Sequence, residues 1–259
     1  MQMTYKATAF FDLDGTLLDD KSQVRPEIKD AMTQLKENNI LPVIATGRTE
    51  VEVAAIMKEA NIDSDIIMNG AFIRVAGDII FSDVYDKELI KEVYDAVKEN
   101  NDVISFYNEK EIWCNAHNEF LLGAYDFIHT PVPPIDPEGY LTKPVNMLLV
   151  LGQDNDTYYT SQFPQLNFYR NTPFSLDTVK KTVSKGNAVK ILQEKLQLTD
   201  VPSYAFGDGP NDLALFEACD IKIAMGNAVD VLKEKADFIT KKNTEGGIVH
   251  ALKHFELIS

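Results

Sequence analysis

The chain predicts an α/β protein: a parallel sheet covered by helices, with an α+β block inserted into it. Two observations carry this. Near both ends of the 259-residue chain, short apolar runs alternate with amphipathic helical patterns. The runs are continuously apolar rather than alternating, as expected of strands buried on both faces of a parallel sheet. The middle differs, with paired strand signals and a Pro-rich loop, "HTPVPPIDPEG", at residues 129–139.

In chain order, the predicted buried strands are Ala7–Phe11, Leu41–Ala45, Asp65–Met68, Tyr204–Phe206 and Ile221–Ala224. Pro26 suits a first helical turn, and Ile28, Ala31, Met32 and Leu35 share one face of the helix that follows. Thr49–Ala60, Asn187–Leu196, Asp212–Ala218 and Val229–Ala236 have similar patterns. Between them, Val103–Tyr107 and Ile112–Asn115 read as a hairpin, and Glu119–Phe127 as a helix. Val145–Leu151 is a further strand, and Leu166–Tyr169 and Phe174–Leu176 are short ones. The expected organisation is a core of residues 1–83 and 184–259, with an inserted domain at 84–183.

Composition excludes several classes of function. With 40 acidic against 25 basic residues, the net charge is −15. A nucleic-acid or anionic-membrane binder needs a basic face instead. No apolar run suits a signal peptide or approaches the ~20 residues of a membrane span. Cys114 and Cys219 form no metal or redox spacing and read as free thiols of a cytoplasmic protein. Any phosphate site must therefore be made attractive locally.

The chemistry-bearing residues gather where buried runs stop. The stretch "AFFDLDGTLLDD" places Asp12 and Asp14 directly after the first run. The second run ends in Thr46-Gly47-Arg48, and a later one in Gly207-Asp208-Gly209-Pro210-Asn211-Asp212. Ligands of open α/β sheets bind at the carboxyl ends of the strands, so parallel strands bring these segments together. Carboxylates of Asp12 and Asp208 make a hard oxygen site suited to Mg²⁺. Asp12 can then attack phosphorus, and Asp14 can protonate the leaving oxygen and deprotonate water. Gly15 allows a sharp turn. The Thr46 hydroxyl and Gly47 N–H can hold phosphate oxygens, with Lys185, at a helix start, as a fixed positive charge. Asn211 and Asp212 can orient the metal waters, Asp208 and Lys185. If the backbone stays extended, the spacing of two sends Asp12 and Asp14 the same way. Asp19 and Asp20 fall on a solvated flap or turn. Each motif alone has an ordinary reading, as a turn, a strand-to-helix connection or a solvated lysine. Their shared position at strand ends favours catalysis.

"FDLDGTLL", "ATGR", "SKG" and "FGDGPNDLALFEACDIKIAMGNA" resemble, in order, the four signature motifs of haloacid dehalogenase-like phosphatases. The last motif and the place of the insert resemble the Cof-type subfamily, with a class IIB cap. The likeness spans residues 5–82 and 184–257; across the insert it covers layout only. It implies a Rossmann-like core with a mobile α/β cap, Mg²⁺ as cofactor, and hydrolysis of small phosphate monoesters such as sugar phosphates. It implies Asp12 as nucleophile and Asp14 as acid/base. Leu13, Thr46, Gly47, Lys185 and Asn211 fall at phosphate-binding positions. Asp12, Asp208 and the backbone carbonyl of Asp14 match metal ligands. Asp212, Arg48, Asn69, Gly70 and Asn243 match supporting positions, Arg48 as a rim cation or a structural ion pair. Leu215 departs from a frequent methionine, a nearly volume-conserving change.

The expected partner is a small phosphorylated metabolite, bound by a monomer or weak homodimer. Its selection falls to the insert, where His117, Tyr125, His129, Tyr169 and Arg170 are candidate contacts with structural readings as well. Two other readings compete. A phosphohexomutase resembles the same plan, but its cap supplies arginines for a second phosphate, and this insert has only Arg170. A non-catalytic phosphometabolite sensor predicts a decayed catalytic position, and none has decayed. Asp212 stands where GxGxxG requires its third glycine, so "GDGPND" is not a dinucleotide fingerprint.

Overall fold

The computed structural model describes residues 5–128 and 130–259. Strand β1 (Ala7–Phe11) is buried along its whole length. Helix α1 (Pro26–Glu37) has Pro26 in its first turn and buries Ile28, Ala31, Met32 and Leu35, the face read from the sequence. Strand β2 (Ile40–Ala45), helix α2 (Glu50–Ala60) and strand β3 (Asp65–Ile67) follow. Two strands unforeseen in the sequence come next, β4 (Phe72–Val75) and β5 (Asp78–Ser82). They flank Ala76 (φ 50°) and Gly77 (φ 87°), the left-handed pair that a tight hairpin turn requires. Arg74 interrupts the buried apolar residues of β4, and the three apolar residues of β5 are exposed or half-exposed, so neither repeats the continuous buried run of the central strands.

The insert forms its own layer. It comprises α3 (Lys87–Glu99), β6 (Val103–Tyr107), β7 (Ile112–Cys114), α4 (Glu119–Phe127), β8 (Met147–Leu151), α5 (Asp156–Gln162), β9 (Leu166–Thr172) and β10 (Ser175–Lys180). The strands form an antiparallel sheet in the order β7-β6-β8-β10-β9. Alternation does the sorting: Ile104, Phe106, Leu148, Val150 and Leu176 point to one face and pack with Ile90, Val93 and Val97 of α3 and Tyr159 of α5. Strands β9 and β10 are longer than their sequence suggests. Polar residues interrupt both strands, Asn167, Arg170 and Thr172 in β9 and Asp177, Thr178 and Lys180 in β10, so neither carries a continuous apolar run.

The chain then completes the first layer with α6 (Lys185–Leu196), β11 (Ser203–Gly207), α7 (Leu213–Ala218), β12 (Ile221–Ala224), α8 (Asp230–Lys233), β13 (Phe238–Ile239) and α9 (Gly247–His254). Among the described residues the larger sheet has the order β13-β12-β11-β1-β2-β3-β4-β5. Every pairing from β13 to β3 is parallel. The β3–β4 pairing is antiparallel, because a direct reversal joins them. There Asp65 lies opposite Arg74, and the two form an ion pair at 2.5 Å. The residues divide into two compact units. One contains the residues up to Arg48, Val53–Phe81 and Ser184–Ser259; the other contains Thr49–Glu52 and Ser82–Val183.

Within the first unit, α6 and α7 touch at Gly186, where an added Cβ would sit 2.1 Å from the Ala214 carbonyl oxygen. Backbone cannot yield as a flexible side chain does. Gly186→Ala should therefore cost about 1–3 kcal/mol of unfolding free energy, the range for overpacking, measured by urea denaturation.

Candidate active site

Strand β1 lies between β11 and β2, with Phe11 in register with Phe206 and Ile44. All three strands run the same way, so their carboxyl ends open at one place. Asp12, Thr46 and Asp208 stand just beyond those ends. The Asp12 N–H donates to the Phe206 carbonyl at 3.0 Å, extending the ladder into the site.

A lysine links the strands to a helix. Helix α6 begins at Lys185, and Ser184 caps it by accepting the Asn187 N–H at 3.1 Å. The Lys185 Nζ lies 2.5 Å from Asp12 Oδ1 and 2.8 Å from Asp212 Oδ1, with only 1% of its side chain exposed. It is no solvated lysine. Asp212 Oδ2 accepts the backbone N–H groups of Asp208 (3.0 Å) and Gly209 (3.1 Å). One carboxylate thus fixes both the cation and the loop carrying Asp208. Burial pushes the Asp12 carboxyl well above its ordinary range, the Asp212 charge adds to this, and Lys185 opposes it. Burial acts to lower the Lys185 pKa, but Asp12 and Asp212 outweigh it and the value is raised. Burial pushes Asp208 up to about 6, against the Thr16 hydrogen bond.

Residues Leu13–Leu17 form one wide turn closed by Leu17 N–H to Asp12 O (3.2 Å) and Leu18 N–H to Leu13 O (2.9 Å). Gly15 has φ 77°, and a Cβ there would lie 2.3 Å from Asp208 Oδ2, so conformation and space both require glycine. The Thr16 hydroxyl donates to Asp208 Oδ1 at 2.7 Å. Because the backbone turns instead of staying extended, Asp12 and Asp14 do not share one environment. The Asp14 side chain is 54% exposed and pairs with Arg48, Nη2 to Oδ1 at 2.5 Å and Nε to Oδ2 at 2.9 Å. Arg48 therefore makes an ion pair at the rim, combining the two roles read for it. Asp19 opens a turn: its carboxylate accepts the N–H groups of Lys21 and Gln23.

Other flagged residues converge on the same end of the sheet. Thr46 is buried, and its hydroxyl oxygen accepts the Arg48 N–H at 3.2 Å across Gly47. Asn69 donates its N–H to the Thr46 carbonyl at 3.0 Å. Met68, Asn69 and Gly70 have φ of 51°, 56° and 106°, a run of left-handed residues that turns the end of β3 sharply. A Cβ on Gly70 would lie 2.4 Å from the Ser184 carbonyl oxygen, so this turn abuts the start of α6. Leu13 is buried within the Asp14 turn. Asn211 lies in the helical turn Pro210–Asp212 and folds its amide over Gly209. Asn243 donates through Nδ2 to the Leu18 carbonyl at 2.8 Å.

Two site neighbours escaped the sequence reading. Thr16 ties the turn to Asp208. Asn227 donates through Nδ2 to the Gly15 carbonyl at 2.7 Å and accepts the Asn243 N–H at 3.0 Å. The "GNA" within the last motif was the available signal for Asn227; a conformational role for Thr16 has none. In the insert, Arg170 is engaged with Asp156, Nε to both carboxylate oxygens at 2.8 Å, and with the Gly152 carbonyl at 3.1 Å. The Tyr125 and Tyr107 hydroxyls meet at 2.7 Å in a buried pair. His117 Nε2 lies 2.8 Å from the Pro133 carbonyl. Tyr169 stands opposite Asp177 on β10. His129 lies outside the described residues.

Asp12, Asp208 and Asp212 each offer an oxygen within 4.8 Å of the others. Both Asp212 oxygens are already engaged, by Lys185 and by two N–H groups. Asp12 and Asp208 remain as hard oxygen donors. That set fits a small divalent cation that takes a few carboxylates and keeps water. The Asp14 carboxylate is not in the cluster, which leaves its backbone carbonyl as the ligand that the resemblance implies.

Comparison with known proteins identifies the family. Residues 9–252 match the haloacid dehalogenase-like hydrolase family. The "Putative phosphatase YkrA" of Bacillus subtilis strain 168 is 31% identical over 250 residues, covering 96% of this chain and 97% of that one. A haloalkanoate-superfamily phosphatase from Bacteroides thetaiotaomicron has a structure with TM-score 0.89 and 25% identity, covering 98% of this chain and 96% of that one. A subclass IIB sugar phosphatase has TM-score 0.85 and 26% identity, covering 98% of this chain and 100% of its own. The chain belongs to the haloacid dehalogenase-like hydrolases, and within them it is a phosphoric monoester hydrolase.

Lys185 leaves a testable signature. Lys185→Met removes the cation shared by Asp12 and Asp212 and strands two buried carboxylates. Stability should fall by about 3–5 kcal/mol, as when one member of a buried pair is removed, measured by denaturant unfolding in metal-free buffer.

Proposed function

We propose that the chain is a Mg²⁺-dependent phosphatase that hydrolyses small phosphate monoesters, sugar phosphates or related metabolites, through an aspartyl-phosphate on Asp12. The observation that carries this reading is the buried ammonium of Lys185 between Asp12 and Asp212, 2.5 and 2.8 Å away. A nucleophilic carboxylate must stay ionised although burial resists ionisation, and an adjacent fixed cation meets that demand.

An Asp12 oxygen attacks phosphorus as the bond to the leaving oxygen breaks, and Asp14 gives that oxygen its proton. Water then attacks the phosphorus of the acyl phosphate and passes a proton to Asp14. Inorganic phosphate departs, and Asp12 returns to a carboxylate. The Thr46 hydroxyl and the Gly47 and Leu13 N–H groups hold phosphoryl oxygens, and Asn211 lines the phosphate side. Lys185 offsets the charge that builds on them. Asp12, Asp208 and the Asp14 carbonyl would hold Mg²⁺, which supplies positive charge against the repulsion between carboxylate and phosphate. Asp212 fixes Lys185 and the Asp208 loop, while Asn69 and Gly70 fix the end of β3 beside Thr46. Asp14 must exchange Arg48 for the leaving oxygen. A partly exposed ion pair is worth only about 0–1 kcal/mol, so this exchange costs little.

Arg170 bears on the choice between hydrolase and mutase. Its guanidinium is committed to Asp156 and to backbone carbonyls of its own unit. The insert's one arginine is thus occupied where a mutase cap needs a grip on a second phosphate. Asp14 supports the same side, because it gives water a base. The sugar phosphatase named among the similar structures supports a sugar-phosphate substrate. The protein acts as a monomer or weak homodimer in the cytoplasm, and two buried free cysteines support that compartment.

Two outcomes are expected. Asp12→Asn should abolish phosphate release from a sugar-phosphate panel while its circular-dichroism spectrum stays that of the parent; near-normal turnover would defeat the mechanism. EDTA should remove activity and excess Mg²⁺ should restore it, followed by inorganic phosphate release; full activity in the chelator would contradict the metal assignment.

A further inference from the structure

The acid/base residue sits on a turn whose shape its own sequence does not secure. Leu13–Leu17 contains non-helical dihedrals at Asp14 and Gly15, and only two backbone hydrogen bonds close it. The Gly15 carbonyl, in the middle of the turn, and the Leu18 carbonyl, at its end, point outward. Both are met by asparagine amides from distant parts of the chain, Asn227 Nδ2 at 2.7 Å and Asn243 Nδ2 at 2.8 Å. The two asparagines are themselves joined, Asn243 N–H to Asn227 Oδ1 at 3.0 Å. A continuous hydrogen-bonded bracket therefore runs from Gly15 to Leu18 outside the turn.

The bracket is anchored to rigid structure. Asn227 lies in the connection after β12, whose backbone is stitched on both sides. Met225 N–H donates to the Gly207 carbonyl (3.0 Å), Val229 N–H to the Asp208 carbonyl (2.9 Å), and Gly226 N–H to the Lys241 carbonyl (3.0 Å). Gly226 has no room for a side chain, since a Cβ would lie 2.7 Å from the Lys242 backbone nitrogen. The loop that carries Asp208 and the loop that carries Asn227 are thus one framework. Thr16 ties the turn to the same framework through Asp208. Asp14 alone points the other way, to Arg48 across the mouth of the site.

We propose that Asn227 and Asn243 are positioning residues that hold the Leu13–Leu18 turn so that Asp14 reaches the leaving oxygen. The inference rests on Asp12 as nucleophile and Asp14 as general acid. Neither asparagine touches substrate; each acts through a carbonyl of the turn. Misplacing a proton donor by about 1 Å costs on the order of 100-fold, and general acid catalysis as a whole contributes about 10²–10⁴-fold. The bracket's effect should therefore fall on substrates that need the proton. An alkyl phosphate needs it, because an alkoxide leaves poorly. p-Nitrophenyl phosphate does not, because its phenolate leaves unprotonated.

The test measures leaving-group release in a single turnover for a sugar phosphate and for p-nitrophenyl phosphate, in the parent, Asp14→Asn, Asn227→Ala and Asn227→Asp. The aspartate variant keeps an oxygen for the Asn243 N–H but loses the donor to the Gly15 carbonyl. Both Asn227 variants should release the sugar about 10- to 100-fold more slowly, with aryl release and KM within about twofold of the parent. The Asp14 variant should show the same pattern more strongly. Equal losses on both esters in the Asn227 variants, or a raised KM with unchanged rate, would overturn the positioning role and leave Asn227 a general structural contact. If the parent forms no product from either ester, the phosphatase reading itself fails. If Asp14→Asn shows no preference between esters, the acid assignment fails, and the bracket proposal with it.

Discussion

One buried ammonium organises the site. Asp12 stands at the end of a central strand, where the sheet denies it water, and Asp212 is wholly buried nearby. Two such carboxylates would repel each other and resist ionisation. Lys185 between them converts this conflict into a fixed charge network. Its position follows from the cap at Ser184 and from the close packing that Gly186 and Gly70 permit. Helix α6 must approach both α7 and the end of β3 closely for the ammonium to reach both partners. The glycines next to the charged residues are therefore as necessary as the charges.

A rigid floor and a looser rim follow from this arrangement. On the floor, Asp12, Lys185 and Asp212 are buried and mutually bonded, and Asp208 is tied by Thr16. At the rim, Asp14 and Arg48 share an exposed pair. The proposed mechanism calls for such a division: in it the groups that bind phosphoryl oxygens and metal stay fixed, whereas the group that exchanges protons alternates between leaving group and water. The sharp turn after Phe11 creates the division by sending two aspartates, one residue apart, into different surroundings.

Much of this could be read from the chain. Continuous apolar runs marked the central strands, because burial on both faces leaves an unmistakable pattern. The gathering of Asp12, Asp208 and Thr46 was legible because parallel strands bring their carboxyl ends to one place. The hairpin of β4 and β5 was not, since Arg74 splits the apolar residues of β4, and Asp78 and Ser82 leave only three between them in β5. The burial of Lys185 was equally invisible, as a helix-start lysine is ordinarily solvated and only its partners from two other segments reveal otherwise. Thr16 and Asn227 were missed for a related reason. Their work is to satisfy a distant carboxylate and a distant carbonyl, and sequence spacing does not encode those distances.

The order of the strands has a consequence for how the protein comes into being. β1 pairs on one side with β2, some thirty residues later, and on the other with β11, where Thr8 meets Ser203. During synthesis the first pairing can form early, but the second must wait until the whole insert has been made. Closing a loop of that length is entropically slow, and contacts so far apart in sequence retard folding. Lys185 and Asp208 arrive on the late segment, so a nascent chain holds Asp12 on a half-built sheet without its counter-charge. The charge network around Asp12 is therefore the last part of the site that the growing polypeptide completes.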